Sequence, residues 1–129
     1  MMGYKSSTGE IYKALRNQLL GGGVPVGETA EYPRIEIHSF TENPPTDKDG
    51  RLRSVSCIVE CMSVTSYGDA VAMNERNLER LQADGWQTSG GFTIIGIVPD
   101  QLTELTEATE TQEILYRQLQ RFNLSVWQN

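Results

Sequence analysis

Histidine and cysteine, which supply most nucleophilic and zinc-binding sites, are scarce in this chain of 129 residues. His38 is the only histidine, so any Ser–His or Cys–His pair would have to include it. It lies on the polar face of a short alternating segment with no motif around it. One histidine with Cys57 and Cys61 does not make a closed tetrahedral zinc site. We therefore expect no catalytic residue, no cofactor and no metal, and predict that the protein is not an enzyme.

Two short stretches have the residue types of a ligand site without the required spacing. The sequence DKDG at 47–50 is similar to the middle of a calcium loop, but the twelfth position would be Ser56 in place of a bidentate glutamate. The glycines at 21–23 follow an amphipathic segment and lack the Gly-Lys-Ser/Thr of a phosphate-binding loop. We expect a turn at the first stretch and the end of a helix at the second.

Charge is distributed unevenly along a chain whose formal net charge is −6. Between Leu81 and Tyr116 there is no lysine or arginine. The acidic residues of this region are Asp84, Asp100, Glu104, Glu107, Glu110 and Glu113. A protein that grips nucleic acid usually has the opposite bias. Two interpretations stay open, a solvated acidic loop and a functional acidic surface. The threonine-rich setting gives no reason to expect a buried catalytic carboxylate there.

Two segments have the apolar periodicity of amphipathic helices. The first follows Ser7 and Glu10, which have the spacing of a capping box. Its apolar residues recur at i, i+4 and i+8, as Ile11, Leu15 and Leu19. The second helix is predicted over residues 66–84, with Ser66 or Asp69 as its cap.

Four segments have the period-two alternation of β-strands, residues 34–40, 54–64, 90–98 and 114–127. A polar loop, residues 41–53, joins the first two and is expected to be mobile. A Thr/Glu-rich connection, residues 99–113, precedes the last. Cys57 and Cys61 share one face of the second segment about 13 Å apart, too far for a disulfide.

The order α-β-β-α-β-β predicts a single α+β domain over residues 1–129. We expect a two-layer sandwich, in which a mostly antiparallel sheet of about four strands carries two helices on one face. No stretch approaches 18 apolar residues, so no membrane span is predicted. The first ten residues have no apolar region, so we expect no secretion signal.

The last segment is the most unusual, because a strand over residues 114–127 would run about 46 Å, well beyond the usual length. It could bend at a bulge around Gln118–Arg121. Alternatively, its far half could leave the domain's own sheet and offer an edge to another chain. Apolar residues interleaved with arginines are typical of interfaces. The predicted subunit interface is Leu115, Arg117, Leu119, Arg121 and Trp127.

This succession of segments resembles the tail-terminator (tail-completion, minor tail) proteins of long-tailed bacteriophages and related prophages. The similar segments span nearly the whole chain and are IYKALRNQLL, YPRIEIHSF, RSVSCIVECMSV, YGDAVAMNERNLERLQADGW, FTIIGIV and YRQLQRFNLSVWQ. The resemblance implies a structural subunit that assembles into a ring, commonly a hexamer, which caps the tail tube and joins it to the head. Its partners would be copies of itself, the tail-tube protein and the head–tail connector. It would be found in the virion, or in the host cytoplasm during assembly.

The resemblance also implies that DNA passes through the ring without being specifically bound. Under this hypothesis the acidic residues Asp100, Glu104, Glu107 and Glu110 face the channel and repel phosphates. The segments 41–53 and 99–113 match no family pattern, so their contacts stay open. One alternative is a different virion component, a head–tail connector or a tail-tube subunit. The other is a small cytosolic ligand-binding or regulatory domain with a pocket between helices and sheet.

Overall fold

A computed structural model describes residues 4–28, 31–45 and 47–129. Its elements in chain order are α1 (Thr8–Leu20), β1 (Arg34–Asn43), β2 (Leu52–Ser63), α2 (Tyr67–Gln82), β3 (Thr88–Ser89), β4 (Phe92–Ala108) and β5 (Ile114–Gln128). The five strands form one sheet in the order β1-β2-β5-β4-β3, and each neighbouring pair is antiparallel. The α+β class is therefore confirmed. The predicted count of about four strands and the predicted element order are corrected, because β3 is an additional strand between α2 and β4.

The hydrophobic core lies between the two helices and one face of the sheet. One face of β2 contributes Val55, Cys57, Val59 and Cys61 to this core. The predicted apolar stripe of α1 contributes Ile11, Leu15 and Leu19. From β5 come Phe122, Leu124 and Val126, each almost fully buried. Each large side chain of this kind stabilises the fold by roughly 1.5–3 kcal/mol. None of the helices in the described residues is long and apolar enough to cross a membrane.

The N-terminus of α1 is held by distant partners, and the predicted capping box is wrong. The Ser7 side chain makes no bond to its own helix. Its hydroxyl and its backbone N–H both donate to the carboxylate of Glu42 in β1, the N–H at 2.8 Å. Glu10 accepts a hydrogen bond from Ser89 Oγ at 2.8 Å. Both side chains therefore join α1 to the sheet. For α2, Ser66 is the cap, since it accepts from Asp69 N at 3.0 Å.

β5 is long because it is the central strand of the sheet. β2 pairs with it from Ser63↔Tyr116 to Leu52↔Trp127 without a change of register. β4 pairs with its other side along its whole length, from Ala108↔Ile114 to Phe92↔Gln128. The predicted bulge within Gln118–Arg121 of β5 is therefore wrong. So is the alternative in which half of the strand leaves the domain's own sheet.

β4 continues through the region predicted to be a connection. Residues 99–108 belong to the strand, and only residues 109–113 form the turn before β5. The register shifts between Pro99 and Leu102, opposite Gln120 and Phe122, so the irregularity lies in β4. Proline is tolerated at such a place because an edge strand with a bulge does not need its N–H. Gln120 Nε2 stabilises the bulge by donating to the backbone oxygen of Asp100 at 3.2 Å.

The loop between β1 and β2 is shorter than the predicted residues 41–53. Residues 41–43 extend β1, and residues 52–53 begin β2. The remainder contains the turn expected at DKDG, in which the Asp47 carboxylate accepts from Arg51 N at 3.2 Å and Leu52 N at 2.9 Å. The expected mobility of this loop stays a prediction.

Candidate assembly surface

The outer edge of β4 is the longest exposed backbone edge in the described part of the chain. β3 pairs only with Phe92 and Thr93 at the start of the strand. From Ile95 to Ala108, β4 has no strand neighbour on its outer side among the described residues. We call this stretch the free edge. Its outward N–H and C=O groups are available to another strand, and natural proteins usually protect such edges.

The free edge also carries large apolar side chains that are in contact with solvent. Ile95 is 59% exposed and Val98 60%, and Leu102 and Leu105 are 43% and 44% exposed. Single exposed apolar residues are common on protein surfaces. Here they follow one another along one unpaired strand, and residues 98–108 are exposed throughout. Contiguous exposure of this kind is typical of a surface that another protein covers.

β1 forms the opposite edge of the sheet and is also partly unpaired. The segment before it covers only the beginning, where Gly27 N donates to Ile35 O at 2.9 Å and Ile35 N donates to Pro25 O at 2.8 Å. From Ile37 to Asn43 the outer side of β1 has no strand neighbour among the described residues. Since neighbouring strands alternate in direction along β1-β2-β5-β4, β1 and β4 run in opposite directions.

The residues predicted as a subunit interface lie together on the sheet face that points away from the helices, which we call the open face. Leu115 is 3% exposed, and the other members, Arg117, Leu119, Arg121 and Trp127, are partly buried. The interface was predicted from an unpaired edge of the last strand, but β5 is paired on both sides. The unpaired edge belongs to β4 instead. A subunit contact through the open face stays a prediction.

Glu60 is the centre of a charge network on the open face, although it is only 1% exposed. Arg117 Nε donates to Glu60 Oε2 at 2.5 Å, and His38 Nε2 lies 2.8 Å from Glu60 Oε1. Arg117 also contacts Glu107 at 3.4 Å, so the network crosses β1, β2, β5 and β4. Burial alone would raise the pKa of Glu60, but the hydrogen bonds from Arg117 and His38 outweigh it and hold the pKa below its usual value.

Sequence reasoning did not anticipate the neighbours of His38. Ser39 Oγ lies 2.8 Å from His38 Nδ1, so Ser39, His38 and Glu60 follow one another at hydrogen-bonding distances. Ser39 also has a positive φ of 59° at the bulge of β1. The order hydroxyl, imidazole, carboxylate is that of a serine hydrolase triad, but the two ring nitrogens are exchanged, since Ser39 meets Nδ1 and Glu60 meets Nε2. The carboxylate of Glu60, however, is already ion-paired with Arg117, which favours a role in holding the strands together.

The four acidic residues predicted to face a channel do not share one face of the sheet. Asp100, Glu104 and Glu107 are on β4 and Glu110 is in the following turn, and all are exposed. The Glu104 carboxylate accepts from Tyr67 Oη at 2.5 Å and from Gln118 Nε2 at 2.7 Å on the helix side. These bonds lower the pKa of Glu104. Glu107 pairs with Arg117 on the open face.

A shallow, wide-open depression, which we call the groove, lies on the surface where the end of α2 approaches β4. Leu78, Ala83 and Pro99 supply apolar side chains, and Glu79 and Gln82 line it as well. Its volume is about 520 Å³. Pro99 belongs to the free edge, so the groove and the edge form one continuous surface. Sequence reasoning missed this groove because residues 99–108 were not recognised as strand.

The remaining candidates for chemistry are buried or dispersed. Cys57 and Cys61 are free and buried, and burial raises the pKa of each thiol to about 12. Within the described ranges, no three His, Cys, Asp or Glu side chains are grouped in a way that could hold a metal ion.

Comparison with known proteins identifies a similar fold. No protein-family model and no curated protein sequence matches the chain. Among solved structures, one similar chain comes from the "Virion of native gene transfer agent (GTA) particle", with a TM-score of 0.72. The match covers 96% of this chain and 99% of that chain, at 12% sequence identity. The two chains therefore share their fold over almost their entire lengths.

Proposed function

We propose that the protein is a structural component of a phage-like virion, and more specifically a tail-terminator-like subunit that forms a ring. The fold shared with a chain of a gene transfer agent virion supports the first part. The resemblance of the sequence segments to tail terminators supports the second. The observation that carries the proposal is the free edge of β4, an unpaired strand with exposed Ile95, Val98, Leu102 and Leu105.

The two sheet edges are suited to a head-to-tail contact between copies. β1 and β4 run in opposite directions, so β4 of one copy would pair antiparallel with β1 of a neighbour related by rotation. Such a junction continues the antiparallel pattern already present inside each subunit. A head-to-tail contact closes into a ring when its rotation divides a full turn. The number of subunits follows from that rotation, and the hexamer implied by the family resemblance is part of the proposal.

In this ring we assign the open face to the channel, and the subunit contact to the two sheet edges instead of that face. Several of its charges are paired: Arg34 lies 3.5 Å from Glu36 on the same strand, and Arg117 is held by Glu60 and Glu107 on the two neighbouring strands. Paired arginines attract phosphates less than free ones, because nucleic-acid affinity rises with the number of cations that meet phosphates. DNA could then pass without being held. The ring would cap the tail tube and join it to the head–tail connector, in the virion and during assembly in the host cytoplasm.

The test of this proposal is a change confined to the free edge. Val98→Lys and Leu105→Lys place charges on exposed positions of β4, so we expect the thermal midpoint to change little and ring formation to be lost. Leu52→Lys is the matched control, because Leu52 is also an exposed leucine, 39% accessible, at the start of β2 and away from the free edge. Sedimentation and negative-stain microscopy measure the assembly, with and without the tail-tube protein. A wild-type protein that stays monomeric under both conditions would contradict the ring.

Particles assembled without the protein distinguish a tail terminator from the two other virion roles, a tail-tube subunit and a head–tail connector. A missing terminator gives over-long tubes, because polymerisation is not stopped, whereas a missing tube subunit gives none. A missing connector gives tails of normal length that are not attached to heads. The ligand-binding alternative stays open, because a pocket of about 340 Å³ lies between the two helices and β1, where Leu19, Ile35 and Arg80 line it.

A further inference from the structure

We infer that the outer face of α1 of one copy docks into the groove between α2 and β4 of the next copy. This contact would lie in the helix layer and would add to the pairing of β4 with β1. It rests on the proposed function, since it requires the β4 edge of one copy to meet the β1 edge of another. The occupant of the groove is thus a second copy of this chain.

The groove has an apolar interior and an acidic surrounding. Leu78, Ala83 and Pro99 form its apolar part, and Glu79 lines it beside them. Asp84, just beyond the end of α2, is exposed next to the same groove residue Gln82. A complementary occupant therefore has an apolar side chain flanked by positive charges.

The outer face of α1 has this combination. Lys13, Arg16 and Leu20 recur at i, i+3 and i+7, so they lie on one face of the helix, and all three are exposed. Leu20 is 37% exposed although it is a large apolar residue. Lys13 lies 3.4 Å from Glu10 of the same helix, so Arg16 supplies the positive charge that this face offers to a neighbour. α2 is a poorer match, because its exposed face carries Glu75 and Glu79 beside Arg76.

The position of the helices makes this contact compatible with the sheet contact. α1 lies against β1, where the rings of Tyr12 and Phe40 are 6.5 Å apart and Ser7 bonds Glu42, and its first turn also contacts β3. α2 packs on β2 and β5 and reaches β4 at the groove. When β4 of one copy pairs with β1 of the next, α1 of the next copy comes beside α2 of the first.

Charge reversal tests the contact without touching the sheet edges. Arg16→Glu and Glu79→Arg should each raise the protein concentration needed for ring assembly by about tenfold or more, because like charges then face each other. The double variant restores opposite charges and should assemble close to wild type. Lys48→Glu is the control, since it makes the same charge change at an exposed residue of the β1–β2 loop. Sedimentation at low salt measures assembly, and circular dichroism confirms that each variant is folded.

The outcomes separate this inference from the proposed function. If Arg16→Glu assembles like wild type while Val98→Lys does not, the α1 contact is overturned and the ring stands. A double variant no better than the single ones would overturn the pairing of Arg16 with Glu79. Wild-type protein that never assembles would overturn both proposals.

Discussion

Arg117 Nε lies 2.5 Å from Oε2 of Glu60, a carboxylate that is almost completely buried in the open face of the sheet. The two residues are on neighbouring strands, β5 and β2. Their register places Glu60 opposite Leu119 and Arg117 opposite Met62, so the pair is diagonal. With His38 on β1 and Glu107 on β4, the pair connects the four long strands of the sheet.

Removing Arg117 should therefore cost considerably more stability than removing its exposed partner. Arg117→Ala leaves the Glu60 charge buried with only His38 beside it. We expect the free energy of unfolding to fall by about 3 kcal/mol. This is the low end for a broken buried ion pair, because Arg117 is partly exposed. Glu107→Ala breaks a surface contact and should cost about 0–1 kcal/mol. Urea unfolding measures both variants. Equal losses would show that Glu60 does not depend on Arg117.

Acidification should destabilise the protein through Glu60 and Glu42. For each carboxyl, burial would raise the pKa, but hydrogen bonds lower it: from Arg117 and His38 to Glu60, and from Ser7 and Tyr4 to Glu42. A folded-state pKa below the unfolded value stabilises the fold above the unfolded pKa, about 4.3 for Glu. That stability is lost as the pH falls from about 4.3 through the lower folded values.

Thermal melting between neutral and acidic pH measures this loss. Glu60→Gln has one such carboxyl fewer and should lose less stability over the same acidic range than wild type. A variant whose melting temperature falls as steeply as that of wild type would argue against the contribution of Glu60.

The two cysteines should be unreactive in the folded protein. Burial raises the pKa of each thiol to about 12, and the thiolate is the reactive form, so the accessible thiolate fraction at neutral pH is very small. We expect a thiol-specific reagent to label Cys57 and Cys61 slowly in buffer and rapidly in denaturant. Fast labelling of the native protein would indicate that β2 opens locally.

The three side chains of Ser39, His38 and Glu60, which lie at hydrogen-bonding distances, offer a direct test of the proposal that the protein is not an enzyme. Wild type should hydrolyse an activated ester no faster than Ser39→Ala. His38→Gln should leave this background rate unchanged while lowering the thermal midpoint, because it removes a bond to buried Glu60. Hydrolysis that disappears in both variants would establish a catalytic site on β1.

Local patterns in the sequence predicted the faces of the strands well. Period-two alternation predicted strands at residues 34–40 and 54–64, and one face of each strand, with Ile35 and Ile37 on β1, lies in the core. The extended conformation of β5 was also correct. These features depend only on residues close together in the chain.

The errors came from contacts between distant residues. Ser7 and Glu10 have the spacing of a capping box, but Glu42 and Ser89 bind them instead. The sequence suggested an unpaired edge on β5, because the pairing of β5 with two other strands depends on residues far away in the chain. Pro99 and the surrounding charges hid the strand in residues 99–108, where Leu102 and Leu105 are three residues apart and so give no period-two signal.

The irregularities of the two outer strands have a consequence for aggregation. A straight, uninterrupted β-edge accepts almost any extended peptide and can seed amyloid-like fibres. β4 changes register between Pro99 and Leu102, and β1 between His38 and Thr41. Each strand therefore has an irregularity that a flat, extended peptide cannot pair with along its whole length. A neighbour of matching shape is favoured over non-specific strand addition, so the exposed edges are protected from aggregation before assembly.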